Sequence, residues 1–250
     1  MLHGVEMKKA IILAAGRSKR LRPQTNNRPK CLLKLGDETI LDFQLKSLIR
    51  CGIDQILLVI GYKKDVITNY IKQSYSNLVK IVENDFFEKT DNAYSTALAL
   101  DYVDTEKDSV IILDGDIVFD PKLLQMLIDS KHKNVLIADN DKIIESEDNK
   151  ILIKENFVIS IGKNVLGNAV YTSIIKLSGI FLKKFTKEVI KPHYKQEWYS
   201  KPLNLLLMKY PKEVHVIYTN GLLRCEVDTH KDLICAKDIY KKLSDHNREI

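Results

Sequence analysis

The sequence predicts an α/β fold: a doubly wound, mostly parallel sheet with a small added β/α substrate lobe. Two observations predict it. Apolar runs bounded by turn residues alternate with helical periodicity through the first 140 residues. That alternation implies parallel strands joined by helical crossovers on both faces of a sheet. After Asp139 the rhythm changes to short alternating runs, as hairpins added to the main sheet would show.

Taken in order, Lys8–Ala14 is a buried-strand run ending in small residues. Thr39 opens a helix with Leu41, Leu45, Leu48 and Ile49 on one face, and Gly52 stops it. Gln55–Ile60 reads as a strand, Lys64–Gln73 as a helix and Leu78–Val82 as a strand. Asp91–Tyr102 follows as a helix, with Asp91 or Asn92 placed to cap it. Ser109–Leu113 is a strand, Pro121–Ser130 a helix with proline in its first turn, and Asn134–Ala138 a strand. Three alternating runs come next, at Lys150–Lys154, Phe157–Ile161 and Ala169–Lys176. Helical patterns at Ile180–Lys191 and Tyr199–Tyr210 precede strand-like runs at Glu213–Tyr218 and Leu223–Val227, then a terminal helix from about Thr229. The expected organisation is a single domain over 1–250. Residues 1–138 form a nucleotide-binding core, 139–212 an acceptor lobe, and 213–250 the closing strands and helix.

The chain has 250 residues, 45% apolar and 29% charged, an ordinary soluble composition. That length buries a core without disulfides or structural metals. No apolar run reaches the roughly 18 residues of a membrane span. Met1–Lys9 lacks the apolar stretch of a signal peptide, and Met7 marks residues 1–6 as a dispensable extension, so the expected compartment is the cytoplasm. The four cysteines form no CxxC pair, and the six histidines supply no cluster for zinc. They are expected as buried or partly buried free thiols. Net charge is +6, and its placement matters: Gly16–Leu35 carries seven basic residues and no acidic one. A compact cationic loop points to a compact polyanion rather than a long duplex.

That loop follows the first strand through Ala14, Ala15 and Gly16. Small residues at a strand end leave backbone N–H groups open to phosphate oxygens. Arg20 and Lys30 suit a triphosphate, Arg by a two-pronged contact and Lys as a point charge. Pro23 and Pro29 fix the loop's reach. The alternative is a surface loop with incidental charge. Farther on, Val110–Leu113 ends in Asp114-Gly115-Asp116, whose two carboxylates share a face of an extended chain; a ligand-free turn is the bland reading. Cys225-Glu226-Val227-Asp228-Thr229 ends the last strand, and Asp228 stands either as a cap of the terminal helix or as a ligand. A hard divalent cation takes one or two carboxylates plus phosphate oxygens and water, and Asp116 with Asp228 would form such a pair.

The stretch Ala10–Leu35, AIILAAGRSKRLRPQTNNRPKCLLKL, resembles the sugar-phosphate nucleotidyltransferase signature, which runs as a strand, AAGxGTRLxPxT, and PKxLLxL. Ala14, Ala15, Gly16, Arg20, Leu21, Pro23, Thr25, Pro29, Lys30 and Leu33 fall in register. Ser18 stands where the second glycine is usual and Lys19 where Thr or Ser is usual. Serine replaces glycine readily where the backbone keeps an ordinary φ, so a variant loop of that kind is expected. EVDTHKDL at Glu226–Leu233 resembles the closing element of the phosphocholine and 2-aminoethylphosphonate cytidylyltransferases. Asn92, Tyr94, Ser95, Leu98 and Ala99 match their NNxYSxxLA segment, and Asn84 falls where they carry Asn. The GTAxA segment of hexose-1-phosphate enzymes is missing.

The resemblance implies a Rossmann-like, GT-A-type fold. It implies that Leu13, Ala14, Ala15, Gly16, Arg17, Asn84, Asn92 and Asp114 line the nucleotide site, with Arg20 and Lys30 on the phosphates as the catalytic pair. Asp116 and Asp228 would hold Mg²⁺, and Glu226 would face a cationic acceptor. Trp198 and Tyr199 would stack on a quaternary ammonium, or else form a lid on the core. The implied reaction joins a nucleoside triphosphate, CTP by preference, to a small phosphorylated acceptor and releases pyrophosphate. Asn84 and backbone carbonyls near Gly16 are the expected readers of the base. The partners expected exclude nucleic acid and membrane, and a homodimer is the expected assembly. Three alternatives stand beside this reading. They are a sugar-1-phosphate enzyme using UTP, dTTP or GTP, a nucleotide-sugar glycosyltransferase with an Asp-x-Asp metal site, and a non-catalytic nucleotide-binding module.

Overall fold

A computed structural model describes residues 7–246, so the extension expected at residues 1–6 lies outside the described residues. The chain first builds β1 (Lys8–Ala14), α1 (Ile40–Arg50), β2 (Gln55–Ile60), α2 (Lys64–Ser74), β3 (Val79–Glu83) and α3 (Asn92–Leu100). It continues with β4 (Ser109–Asp114), β5 (Ile117–Phe119), α4 (Lys122–Asp129), β6 (Val135–Asp139), β7 (Lys150–Lys154), β8 (Phe157–Gly162) and β9 (Ala169–Ser178). The last part holds α5 (Gly179–Val189), α6 (Ser200–Lys209), β10 (His215–Tyr218), β11 (Arg224–Glu226) and α7 (His230–His246).

The main sheet has nine strands in the order β3-β2-β1-β4-β9-β6-β10-β8-β7. From β3 to β4 it is parallel, as the β-α rhythm requires. Beyond β4 it is mixed. β9 runs antiparallel between β4 and β6, and β10 is parallel to β6. The expected hairpin exists as β7–β8 at the sheet edge. The third alternating run departs from the hairpin expectation: as β9 it is nearly all buried and lies inside the sheet.

Side-chain alternation divides the core between the two faces. Ile11 and Leu13 of β1 pack with Ala93 and Ala97 of α3, Phe181 and Phe185 of α5, and Leu203 of α6. Ala10 and Ile12 face the other way, against Leu41, Leu45 and Leu48 of α1, Ile67 of α2 and Leu123 of α4. A third cluster joins Leu21 and Leu33 of the basic loop to Phe43, Val118, Val227 and Leu233, fastening loop and α7 to the body. Boundaries move by a residue or two from those expected. The clearest case is α3, where Asp91 is the cap, its carboxylate accepting from Asn92 N, and Tyr102 lies beyond the helix.

Strand β5 has no counterpart in the sequence reading. It pairs antiparallel with β11 in a separate two-stranded sheet, setting Ile117 opposite Glu226 and Val118 opposite Cys225. The second strand-like run near the C-terminus is therefore not part of the main sheet.

Candidate active site

A cleft of about 1070 Å³ opens at the carboxyl ends of β1 and β4. Ligands of open α/β sheets sit at such strand ends. Its floor is the turn after β4. Gly115 N donates to Leu13 O at 2.9 Å. A Cβ on Gly115 would come within 2.8 Å of Ala14 Cβ, so glycine permits the turn to lie flat on β1. Gln44, fully buried on α1, donates through Nε2 to Asp114 O and Ile117 O, each at 2.9 Å. It clamps both ends of the Asp114-Gly115-Asp116 turn. Sequence reasoning missed Gln44, although an amide on the Leu41/Leu45/Leu48 face of α1 was a signal that something polar lies beneath.

The carboxylates of Asp116, Glu226 and Asp228 converge, each with an oxygen within 4.8 Å of the others. The β5–β11 ladder causes this, and Val227 N donates to Asp116 O at 2.9 Å to continue it. Asp228 does not cap the terminal helix with its side chain. Thr229 and Asp232 form that cap, Thr229 N donating to Asp232 Oδ2 at 2.7 Å, and Asp228 is left to face the cleft.

Lys30 stands among these acids. Its Nζ lies 2.7 Å from Asp116 Oδ2 and 3.0 Å from Asp228 Oδ1. Arg20 Nη2 reaches Asp228 Oδ2 at 2.9 Å from a side chain that is 71% exposed. Burial disfavours the Lys30 ammonium, but attraction to Asp116 and Asp228 outweighs it and holds its pKa above the ordinary lysine value. The acids respond to the same crowding. Burial first, then the charges of Asp116 and Glu226, hold the Asp114 carboxyl well above the usual range despite a hydrogen bond with Ser173. Glu226 keeps an outer surface open to solvent, yet burial of its carboxyl end and repulsion from Asp116 and Asp228 push it up to about 7. Three hard oxygen donors together fit a divalent cation, and Asp116 Oδ1 is a buried oxygen with no hydrogen-bond partner.

The remaining predicted residues divide. Leu13, Ala14, Ala15, Gly16 and Arg17 line the cleft with Asn84, Asn92 and Asp114. A Cβ on Gly16 would meet nothing within 4 Å, so the loop entrance is open space. Arg17 is engaged across the mouth with Glu88 at 2.7 Å. Asn84 is buried, with both amide hydrogens committed to Thr90 Oγ1 and Ser95 Oγ at 3.1 Å and its oxygen accepting from Phe86 N at 2.9 Å. Asn92 Oδ1 accepts from Tyr199 N at 2.8 Å, tying α3 to the start of α6. Trp198 and Tyr199 separate in role. Tyr199 is 2% exposed and shares a 2.8 Å hydrogen bond with the Tyr171 hydroxyl, whereas Trp198 is 37% exposed and carries the Lys163 ammonium 4.2 Å from its ring centroid.

One expectation is overturned. Ser18 does not keep an ordinary backbone: its φ of 47° and ψ of 51° are left-handed. The loop keeps the glycine-like turn and forces serine into it. Thr25 Oγ1 donates to Ser18 O at 2.9 Å and Leu21 N to the same oxygen at 3.2 Å, which hold the conformation. The cysteines are free as expected, but Cys235 is exposed rather than buried.

Comparison with known proteins places this geometry among relatives. Residues 9–144 match the family model described as nucleotidyl transferase. CTP:phosphoglutamine cytidylyltransferase of Campylobacter jejuni is 27% identical over 249 residues, covering 90% of this chain and 97% of that protein. Choline-phosphate cytidylyltransferase of Streptococcus pneumoniae is 37% identical over 108 residues, 43% of this chain and 44% of its own length. Among solved structures, the inositol-1-phosphate CTP transferase of T. maritima shares the fold with a TM-score of 0.80, 23% identity, and coverage of 95% of this chain and 96% of that one.

Proposed function

The chain belongs to the nucleotidyl transferase family, and on that premise we propose that it transfers a cytidylyl group from CTP to a small phosphorylated or phosphonate acceptor, with Mg²⁺ as cofactor and pyrophosphate as the second product. The observation that carries this reading is Lys30 held between Asp116 and Asp228 at the mouth of the basic loop, with Arg20 beside it. Relatives named as cytidylyltransferases support the choice of nucleotide.

The acceptor's phosphate oxygen attacks the α-phosphorus in line and pyrophosphate leaves. That nucleophile is already an anion, so no side chain has to remove a proton from it. The protein's task is to bring two anions together and to offset the charge that shifts onto the leaving group. Lys30 is suited to the α-phosphate and the attacking oxygen, because its ammonium is fixed by two carboxylates. Arg20, exposed and long, is suited to the departing pyrophosphate. Asp116 and Asp228 would hold Mg²⁺, which when bound supplies Lewis-acid charge to phosphate oxygens.

Among the cleft-lining residues from 139 to 226, Arg224, Lys142 and Lys163 pair with Asp139, Asp148 and Glu147, and Glu145 and Glu226 are the acids in excess on the side we assign to the acceptor. That balance favours an acceptor with a positive charge in addition to its phosphate. The Trp198 face, already in contact with an ammonium, supports the same class.

The test is a pyrophosphate-release assay with Mg²⁺. It crosses CTP, UTP, dTTP, ATP and GTP with phosphocholine, 2-aminoethylphosphonate and glucose 1-phosphate. Turnover is expected with CTP and one of the two amine-bearing acceptors. Turnover with UTP or dTTP plus the sugar phosphate, and none with CTP, would sink the cytidylyl assignment while leaving the family intact.

A further inference from the structure

Two thiols with no part in the transfer reaction meet behind the carboxylate cluster. Cys225 lies on β11, immediately before Glu226 and three residues before Asp228. Its sulfur donates to Asp232 O at 3.4 Å and approaches Glu226 O at 3.5 Å. Cys235 lies on α7, three residues after Asp232. In a helix a side chain folds back over the preceding turn, towards the carbonyl three residues before it. Asp232 and Cys235 lie one turn apart on α7, so the Cys225 sulfur on the Asp232 carbonyl is brought beside Cys235, and burial first, then the neighbouring Cys235, hold the Cys225 thiol well above the ordinary cysteine range. Cys235 is exposed and Cys225 half-buried, so a reagent reaches one partner of the pair first.

β11 is the rail that sets the acids. Its ladder with β5 places Glu226 opposite Ile117, and the following residue, Val227, bonds Asp116 O. A bond that fixes Cys225 to α7 removes its thiol contacts with the Asp232 and Glu226 carbonyls. It also constrains the residue directly before Glu226. Misplacement by fractions of an ångström at such a site lowers a rate that depends on alignment.

We propose that Cys225 and Cys235 are a site of reversible oxidative modification, closing an intramolecular disulfide that pins β11 to α7 and slows nucleotidyl transfer. The oxidant is a small-molecule disulfide. The Cys235 thiolate attacks one of its sulfurs and expels one thiolate. The Cys225 sulfur, giving up its proton, then attacks the Cys235 sulfur of the mixed disulfide and expels the second. Two protein thiols are oxidised, one small disulfide is reduced to two thiols, and the protons pass to the departing thiolates.

The experiment treats the full-length protein with oxidised glutathione, then dithiothreitol. Peptide mapping is expected to show one Cys225–Cys235 cross-link with loss of two hydrogens from the intact mass. Amide exchange over residues 224–235 is expected to slow. Turnover, measured with whichever nucleoside triphosphate the assay above identifies, should fall by about tenfold and return on reduction. Cys235→Ser should keep the reduced-state activity and become insensitive to the oxidant. A stable glutathione adduct on Cys235 without the cross-link, or a cross-link that leaves exchange and turnover unchanged, would overturn the proposal. Mapping and exchange do not depend on the nucleotide, so failure here is distinct from failure of the cytidylyl assignment.

Discussion

Lys30 Nζ lies 2.7 Å from Asp116 Oδ2, joining the basic loop after β1 to the acidic turn after β4. Asp228 completes the contact from the far end of the chain, at 3.0 Å. Loop cation and cleft acids therefore hold each other in place, and each is expected to report on the other when changed.

Asp116→Asn and Asp228→Asn keep side-chain volume and remove one charge each from the candidate cation site. Turnover is expected to drop about 10²-fold or more in either variant, with unchanged circular dichroism. A folded variant with near wild-type turnover would take that residue out of the role.

Lys30→Ala should lower kcat by about 10²–10³-fold, and nucleotide KM much less, because its charge matters most as electrons move to the leaving group. Lys34 is exposed, with its Nζ on Asp37 O at 2.6 Å, and Lys34→Ala should leave kinetics unchanged. Equal losses at both positions would indicate a diffuse field effect.

Asn84→Ala tests who reads the base. Both its amide hydrogens are spent on Thr90 and Ser95, so it shapes the turn that follows β3. The variant is expected to raise KM by a similar factor for every nucleotide tested and to lower thermal stability. A loss confined to CTP would restore Asn84 as a base reader.

Ser18→Gly relieves a left-handed conformation that costs a side-chain-bearing residue about 1–2 kcal/mol. Glycine's greater freedom when unfolded returns about 0.5–1 kcal/mol of that. The net gain of about 0.5 kcal/mol should raise Tm by about 1–2 °C in a chain of this size. A lower Tm in calorimetry would show that the left-handed backbone at Ser18 costs less than the freedom glycine gains on unfolding.

Asp42 carries the acid prediction. Burial alone would raise its carboxyl, but hydrogen bonds from Tyr70, Thr39 and Tyr75 outweigh that and hold its pKa below the ordinary aspartate value. A depressed folded-state pKa contributes stability that is complete above the unfolded value, about 3.9, and is lost as pH falls through the folded one. Asp42→Asn should therefore cost about 1–3 kcal/mol at pH 7, with the gap to wild type closing as pH drops below about 4. Urea denaturation showing a constant gap down to pH 3 would exclude this role.

Much of this protein was legible in its sequence. Strands β1–β4 and helices α1–α3 appear within a residue or two because hydrophobic period is a local property and each element has several residues to express it. The basic loop and both acidic clusters were visible for the same reason: their chemistry lies in consecutive residues. What the tertiary structure alone decided is partnership between distant short segments. Strand β5 has three residues, too few to show a period, and its pairing with β11 is what brings Asp116 to Glu226 and Asp228. The insertion of β9 between β4 and β6 joins segments remote in sequence, and the approach of Cys225 to Cys235 depends on how α7 packs back on β11. The separation of Trp198 from Tyr199 is different: adjacent side chains diverge, and packing decides which of them is buried. Sequence pattern shows which face of an element is apolar; which other element covers that face depends on the free energy of the whole packed chain.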